Sequence, residues 1–276
     1  MACHLLEGKK GIIFGALDSK SIAWKIAERA YEQGAAFTLS NTPVALRFGE
    51  IIRLSEKCHA EIIPADATSV SDLEHVFRRT MEIFSGKIDF VLHSIGMSMN
   101  VRKSREYDDL DYNYFMKTID VSALSFHKML QVAKKMDAIN DWGSILALTY
   151  IAAQRTLVGY NDMADAKSLL ESIARSFGYI YGREKNVRIN TISQSPTKTT
   201  AGSSIKGMDG LVDFTDRMSP LGNATADECA DFSVVLFSDL SRKVTMQNIY
   251  HDGGFSSMAM SLKAMTQYNK SLDEQV

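Results

Sequence analysis

The sequence has little of the material that marks several large classes of protein. Among its 276 residues there are only three cysteines and four prolines. Cys3, Cys58 and Cys229 lie far apart and form no Cys-x-x-Cys pair, so we expect neither a disulfide framework nor a metal site. The low proline content, with 17 glycines, excludes a collagen-like or low-complexity chain.

Long apolar runs and an excess of one charge are also missing. No stretch approaches the roughly 18–20 apolar residues that span a bilayer, and the amino terminus lacks the pattern of a secretory signal. Lys and Arg total 31 against 33 Asp and Glu, a net charge of −2, which excludes the strongly basic surface of a non-specific nucleic-acid binder. We therefore expect a cytoplasmic protein that binds neither nucleic acid nor a membrane.

What the sequence does contain is a regular alternation of short apolar segments and segments of helical period. The predicted strands are 11–15, 35–40, 61–65, 88–93, 145–150, 187–193 and 247–251, and the main predicted helices are 21–33, 70–84, 163–177 and 225–238. This alternation predicts parallel strands joined by right-handed crossovers, with helices on both faces. We expect an α/β fold, a single doubly wound, Rossmann-type domain over residues 1–276, with a loose polar tail at 263–276.

The first predicted strand leads into a turn that suits a dinucleotide. Gly15 and Ala16 permit a tight turn, and Ser19, Ser21 and the free N–H groups of the following helix can hold a pyrophosphate. Two glycines of the Gly-x-Gly-x-x-Gly fingerprint are missing, so a capped turn without a ligand is an equal alternative for this segment alone.

Other predicted strand ends favour the dinucleotide. Asp66, after 61–65, can accept from the amine of adenine or can cap a helix, and Gly96, after 88–93, lets the backbone approach a ligand closely. Ser40 to Pro43 offer no acid for a ribose 2′-hydroxyl and no immediate arginine for a 2′-phosphate, although Arg47 is near. The choice between NADH and NADPH therefore stays open.

Three residues form the most specific pattern. Tyr160 and Lys167 are seven residues apart, which places both on one face of a helix, and Tyr150 ends a predicted strand at the same edge of the sheet. A lysine ammonium favours negative charge nearby, including on an enolate oxygen. Taken singly, such residues are more often surface or packing residues, but together they indicate catalysis.

With these residues, the sequence resembles the NADH-dependent enoyl-acyl-carrier-protein reductases of the short-chain dehydrogenase/reductase superfamily, which act in bacterial type II fatty-acid synthesis. The resemblance extends from about residue 8 to 255. The motifs that carry it are Gly15-Ala16, Ser21-Ile22-Ala23, Asp66-Ala67, His93-Ser94-Ile95-Gly96, Tyr150, Tyr160, Lys167 and Ser195-Pro196.

The resemblance implies hydride transfer from NADH, or NADPH, to the β-carbon of a trans-2-enoyl thioester. Tyr160 would donate to the enolate oxygen, Lys167 would hold the cofactor ribose, and Tyr150 would shape the pocket. The implied cofactor-binding residues are Gly15, Ser21, Ile22, Asp66, Ala67, Ser94, Ile95, Gly96, Lys167, Pro196 and Thr199. The implied substrate-binding residues are Met97, Tyr150, Tyr160, Met163, Ala201 and Ile205.

The resemblance also implies an acyl carrier protein as partner, a homotetramer, and a substrate-binding lid at 195–214, in which Lys198 and Lys206 would attract the acidic carrier. The sequence departs from the family at Ser195, where glycine is more common, at Met97, where an aromatic residue is common, and across 209–214.

Two other functions stay open at this stage. Short-chain carbonyl reductases, such as 3-oxoacyl reductases, use Tyr-x3-Lys with an upstream serine, whereas this sequence has Ala164 and Ala147 at those positions. A non-catalytic nucleotide sensor on the same fold is the second alternative.

Overall fold

The computed structural model describes residues 4–47, 50–199 and 207–273, apart from the side chain of Leu46. Its centre is a parallel sheet in the order β2-β1-β3-β4-β5-β6. The strands are β1 (Lys10–Phe14), β2 (Ala36–Ser40), β3 (Ile88–His93), β4 (Ile139–Thr149), β5 (Arg188–Gln194) and β6 (Asn248–His251). The direction of winding reverses between β1 and β3, which opens a crevice at their carboxyl ends. The predicted doubly wound fold is confirmed.

Helices cover both faces of the sheet. They are α1 (Ile22–Glu32), α2 (Pro43–Leu46), α3 (Glu50–Cys58), α4 (Val70–Ile83), α5 (Met99–Arg102), α6 (Tyr112–Ile119), α7 (Ser125–Lys135), α8 (Asn161–Lys185), α9 (Met208–Met218), α10 (Ala226–Phe237) and α11 (Leu262–Asp273). A π-helical turn, Asp120–Leu124, joins α6 to α7. The four helices predicted from periodicity correspond to α1, α4, α8 and α10.

The hydrophobic core lies in two layers, one on each side of the sheet. Ile12 faces the layer formed with α4, α7 and α8, while its neighbour Ile13 faces the layer formed with α1, α3 and α10. Successive residues of a strand point to opposite faces, so a strand covered on both faces tends to be apolar at most positions. This is why the predicted strand 11–15 is a continuous apolar run, whereas β5 also buries polar side chains such as Arg188 and Asn190.

Two segments differ from the sequence prediction. Residues 61–65 lie beside β2 but form only one regular parallel bridge, Leu39 to Ile62. The pairing is short rather than broken at Pro64, because Ala65 N still donates to Asn41 O over 3.0 Å. The segment predicted as a loose tail from 263 forms α11, none of whose side chains is buried. Met265, Tyr268 and Leu272 recur there at helical spacing, which the sequence prediction overlooked.

The described residues include two buried thiols and neither a candidate metal site nor a candidate membrane-spanning helix. Cys58 and Cys229 are free and buried, and burial raises the pKa of each thiol to about 12. Within the described ranges no group of three or more His, Cys, Asp or Glu side chains is arranged to hold a metal ion. Among the same residues, no helix has both the length and the apolar character that crossing a membrane requires.

Candidate active site

The ends of three neighbouring strands meet at Gly15. Its N–H donates to Ser40 O over 3.0 Å, while the N–H of Ser94 donates to Phe14 O over 3.2 Å. Gly15 has φ of +96°, and a Cβ at this position would lie 2.0 Å from Ser94 O. Only glycine fits both the backbone conformation and the space. The turn therefore brings Ser94 and the end of β1 together at the crevice of the sheet.

The turn after Gly15 leads into the amino end of α1. Ser21 is the N-cap residue, but its hydroxyl donates to Asp18 O over 2.8 Å and stabilises the loop rather than the helix. The first turn of α1 has no acidic residue, so the partial positive charge of the helix end is not neutralised there. Ser19, Pro196 and Thr197 line one shallow cleft beside this turn. The predicted residues Ser21 and Pro196 thus lie in the same region.

Asp66 has a local role that the sequence does not reveal. One of its carboxylate oxygens accepts from Thr68 N over 2.9 Å and from Thr68 Oγ1 over 2.8 Å. Although burial acts in the opposite direction, these two hydrogen bonds lower the pKa of Asp66. The N-cap of α4 is Ser69, not Asp66. Asp66 is thus held ionised in a turn before α4, where a carboxylate can accept from an amine, while Ala67 is buried in the core.

Lys167 reaches the ends of two strands from α8. Its Nζ donates to Leu148 O over 2.8 Å and to Ile95 O over 3.4 Å. A Cβ built on Gly96 would lie 3.6 Å from Lys167 Nζ and 3.8 Å from Met163 Cε. Gly96, Lys167 and Met163 therefore lie close together, and the absence of a side chain at Gly96 leaves room beside the ammonium.

The two tyrosines lie against each other. The ring centroids of Tyr150 and Tyr160 are 5.2 Å apart with an interplanar angle of 53°. Burial raises the pKa of both phenols, so both stay neutral and able to donate at physiological pH. The Tyr150 hydroxyl is buried and has no hydrogen-bond partner among the described residues. A buried unpaired hydroxyl is rare in proteins and is consistent with a polar ligand atom at this point.

Burial and a neighbouring carboxylate act in opposite directions on the pKa of Lys167. Burial lowers its pKa to about 8, and the carboxylate of Glu171, one turn later on α8, raises it in part. Glu171 is itself buried, and it accepts from Thr149 Oγ1 over 2.8 Å and from Gln154 Nε2 over 2.9 Å. Gln154 in turn accepts from the hydroxyl of Tyr250. Sequence reasoning missed Glu171, although its position four residues after Lys167 is a detectable signal.

Sequence reasoning also missed a buried carboxylate, Asp162. It accepts hydrogen bonds from Ser98, Asn100 and Thr118 and is fully buried. Asp162 lies one residue before the predicted helix 163–177 and four before Ala166, where it would extend the apolar stripe by one turn. A charge at such a position is the signal that could have revealed it.

The remaining predicted residues fall into three groups. Ile22 and Ile95 pack against the core, and the backbone N–H of Thr199 donates to Thr197 O over 2.8 Å. The N–H of Met97 donates to Ser122 Oγ over 3.0 Å, and Ser122 belongs to the π-helical turn, a form often found at functional sites. Ala201 and Ile205 lie outside the described residues.

The crevice suits a dinucleotide and a small carbonyl compound beside it. The glycine turn and the amino end of α1 suit a pyrophosphate, and the Lys167 ammonium suits ribose hydroxyls. The unpaired Tyr150 hydroxyl and the neutral Tyr160 phenol suit a carbonyl oxygen that gains negative charge.

Comparison with known proteins gives consistent results. Residues 15–256 match the family described as Enoyl-(Acyl carrier protein) reductase. The chain is 32% identical over 260 residues to enoyl-acyl-carrier-protein reductase (NADH) 2 of Rhizobium meliloti, covering 93% of this chain and 94% of that protein. It is 31% identical over 263 residues to the FabI enoyl-acyl-carrier-protein reductase (NADH) of Rickettsia typhi, covering 95% and 99%.

Solved structures agree in fold and in sequence. The crystal structure of the FabI–NADH complex from Alistipes finegoldii superposes with a TM-score of 0.94 at 70% identity, covering 96% of this chain and 94% of that one. The Bacillus cereus enzyme, solved with NADP+ and an indole naphthyridinone, gives a TM-score of 0.87 at 28% identity, covering 93% and 99%.

Proposed function

The chain belongs to the enoyl-acyl-carrier-protein reductase family, and from that premise we propose how its residues perform the reaction. It is an NADH-dependent enoyl-acyl-carrier-protein reductase, which reduces the carbon–carbon double bond of an enoyl thioester in fatty-acid synthesis. When bound, NADH supplies the hydride that reaches the β-carbon of the thioester. The observation that carries the proposal is the convergence of Gly96, Lys167, Met163 and the Tyr150–Tyr160 pair at one edge of the sheet.

The cofactor is held, in this proposal, mainly by backbone groups. Gly15 and the amino end of α1 bind the pyrophosphate, with Ser21, Ile22, Pro196 and Thr199 around it. Asp66 accepts from the adenine amine, with Ala67 beside it, because Thr68 keeps its carboxylate ionised. Ser94, Ile95 and Gly96 line the nicotinamide side, where a side chain at Gly96 would project toward Lys167.

Tyr160 acts as the hydrogen-bond donor to the thioester oxygen. Reduction at the β-carbon places negative charge on that oxygen as an enolate, and a donor aimed at it stabilises the transition state. The phenol can donate only while protonated, and burial, which raises its pKa, keeps it so. A proton then adds at the α-carbon and completes the reduction.

Lys167 supplies positive charge beside the ribose and the developing enolate. Its two carbonyl partners, Leu148 O and Ile95 O, fix the ammonium between β4 and the loop after β3. Tyr150, Met97 and Met163 form the pocket for the acyl chain. Ala201 and Ile205 are proposed to extend that pocket, and 195–214 to act as its lid; α9 contains the last part of this segment from Met208 onward.

The family assignment leaves the two alternative functions without support, and kinetics test them directly. We expect the protein to reduce a crotonyl thioester with NADH and to leave an acetoacetyl thioester unreduced. NADPH, assayed in parallel, measures how strict the preference for NADH is, which Ser40 to Pro43 alone do not indicate. Reduction of acetoacetyl thioester alone would indicate a carbonyl reductase, and stoichiometric NADH binding without turnover would indicate a nucleotide sensor.

Assembly and surroundings stay proposals. We retain a single catalytic domain, a cytoplasmic location and a homotetramer; the apolar groove between α7 and α8, lined by Ile173 and Phe177, is the surface where we expect a second copy to bind. Sedimentation analysis tests the tetramer.

The two lysines expected to attract the acidic carrier differ in what the structure describes. Lys198 forms an exposed ion pair with Asp209 over 2.7 Å, which reduces its capacity to attract an acidic carrier, and Lys206 lies outside the described residues.

A further inference from the structure

Asp162 is a fully buried carboxylate only two residues after Tyr160, and the mechanism above does not use it. It lies in the first turn of α8. Three side chains donate to it: Ser98 Oγ to Oδ1 over 2.6 Å, and Asn100 Nδ2 and Thr118 Oγ1 to Oδ2 over 2.9 and 2.8 Å. Two hydroxyl groups and one amide group donate these bonds, so both carboxylate oxygens have hydrogen-bond partners without a cation. Among the described residues it forms no ion pair.

All three donors belong to one stretch of chain, 97–119, which begins at the predicted substrate contact Met97. Ser98 also caps α5, where it accepts from Val101 N over 3.0 Å. Asn100 also donates to Asp111 O and accepts from Asp111 N, at 3.2 and 3.1 Å. Asp162 therefore joins the start of α8, which follows Tyr160 and contains Met163, to the stretch that begins at Met97, a proposed part of the acyl pocket.

The backbone between Tyr160 and Asp162 is itself unusual. Asn161 has φ of +46°, in the left-handed region that residues other than glycine rarely adopt. Its side-chain amide donates to Arg105 O, in the same stretch 97–119. Asparagine adopts this region more readily than other non-glycine residues, and the hydrogen bond to Arg105 O holds Asn161 there. Asn161 and Asp162 thus hold the backbone immediately after Tyr160 from two sides.

Burying a carboxylate costs desolvation free energy, which hydrogen bonds must offset, whereas an apolar side chain at the same position would need no hydrogen bonds. The position of Asp162 at the amino end of α8 offsets part of that cost, because the helix dipole favours a negative charge there. Hydrogen bonds to a charged acceptor are also more directional and stronger than apolar contacts. The arrangement therefore suits a site where the relative position of two elements must be fixed closely.

We propose that Asp162 is a positioning residue for enoyl reduction, which holds the 97–119 stretch against the start of α8 and thereby sets the position of Tyr160 relative to the acyl pocket. This inference rests on the proposed role of Tyr160. It assigns Asp162 no contact with the substrate or with NADH, so its effect must appear in turnover rather than in cofactor binding.

The test measures kcat and KM for a crotonyl thioester, NADH affinity by fluorescence titration, and the melting temperature. Asp162→Asn is nearly isosteric but places an amide group against donors. We expect kcat to fall by roughly 10- to 100-fold, as for a catalytic group displaced by a fraction of an ångström to an ångström. NADH affinity should stay within about twofold, because the groups proposed to bind NADH are untouched.

Two sets of controls separate positioning from general stability. Asp165→Asn removes the other carboxylate in the first two turns of α8, whose hydrogen bond is with the exposed Tyr107 hydroxyl at 3.3 Å, and should turn over normally. Thr118→Val removes one donor to Asp162 but keeps the shape, and Thr118→Ser keeps the hydroxyl. We expect Thr118→Val to lower kcat and Thr118→Ser to restore it.

Each result decides between the possibilities. A folded Asp162→Asn protein with the kcat of the wild type overturns the proposal, as does a defect confined to melting temperature or NADH affinity. If Asp162→Asn does not fold, the Thr118 pair decides, and equal kcat for Thr118→Val and Thr118→Ser overturns it. Full activity in Tyr160→Phe would instead show that the role of Tyr160 is wrong.

Discussion

The nucleotide end of the crevice and the start of α8 are held together by different kinds of contact. At the nucleotide end, Gly15 and Ser94 are joined through backbone groups and an extremely close approach of two chains. At the start of α8, side chains make the contact, because Asn100 and Thr118 donate hydrogen bonds to Asp162. The first region should therefore tolerate changes of side chain but not the addition of a Cβ at Gly15. The second should be sensitive to the loss of a single polar atom.

The largest combined effect, on turnover and on NADH affinity together, is expected at Lys167, where the two regions meet. Lys167→Met keeps much of the buried stem but removes the ammonium and its bonds to Leu148 O and Ile95 O. We expect kcat/KM to fall by at least about 10²-fold, because a charged group beside both the ribose and the enolate is lost. NADH affinity should fall as well, and Lys167→Ala should lose both properties. Unchanged NADH affinity in either variant would contradict the ribose role.

The backbone-built region is tested at Gly15. Gly15→Ala places a Cβ 2.0 Å from Ser94 O at φ of +96°. The backbone strain alone costs about 1–3 kcal/mol, and the clash pushes the loop after β3 away from the cofactor. We expect a large loss of NADH affinity in a titration. Gly8→Ala is the matched control, because Gly8 has φ of +72° but open space around it. It should lose stability and keep NADH affinity; equal losses of affinity would contradict the role of the turn.

A smaller effect on kcat/KM is expected when the pH is raised, because Lys167 loses its charge. Burial lowers the pKa of Lys167 to about 8 while Glu171 raises it in part, so the ammonium is present below about pH 8 and is lost above it. Tyr160 stays protonated across this range because burial raises its pKa. We expect kcat/KM for NADH to fall by about tenfold per pH unit above that point. Glu171→Gln should move the decline to lower pH, and a profile that is flat to pH 10 would contradict the assignment.

The same contrast explains how much the sequence could predict. Strands such as 88–93 were predictable because burial on both faces makes them continuous apolar runs. The segment 61–65 was only partly predictable, because it lies beside β2 as expected but makes too short a backbone pairing to form a full strand. The Tyr160–Lys167 pair was predictable because both residues lie on one helix and their spacing is local.

The Asp162 network was not predictable, since its donors lie 44 to 64 residues away in the sequence. Nothing local distinguishes Ser98 or Thr118 from other polar residues until the fold brings them to α8. The close approach of Gly15 to Ser94 has the same origin: the glycine is visible in the sequence, but the carbonyl that requires it comes from another strand.

The central claim is that the Tyr160 phenol donates to the thioester oxygen while the cofactor is held independently. Tyr160→Phe removes one hydroxyl and tests this most directly, by crotonyl reduction and NADH titration on the same preparation. We expect a loss of about 10²–10³-fold in kcat with NADH affinity unchanged. Wild-type turnover, or a loss explained entirely by weaker NADH binding, would contradict it.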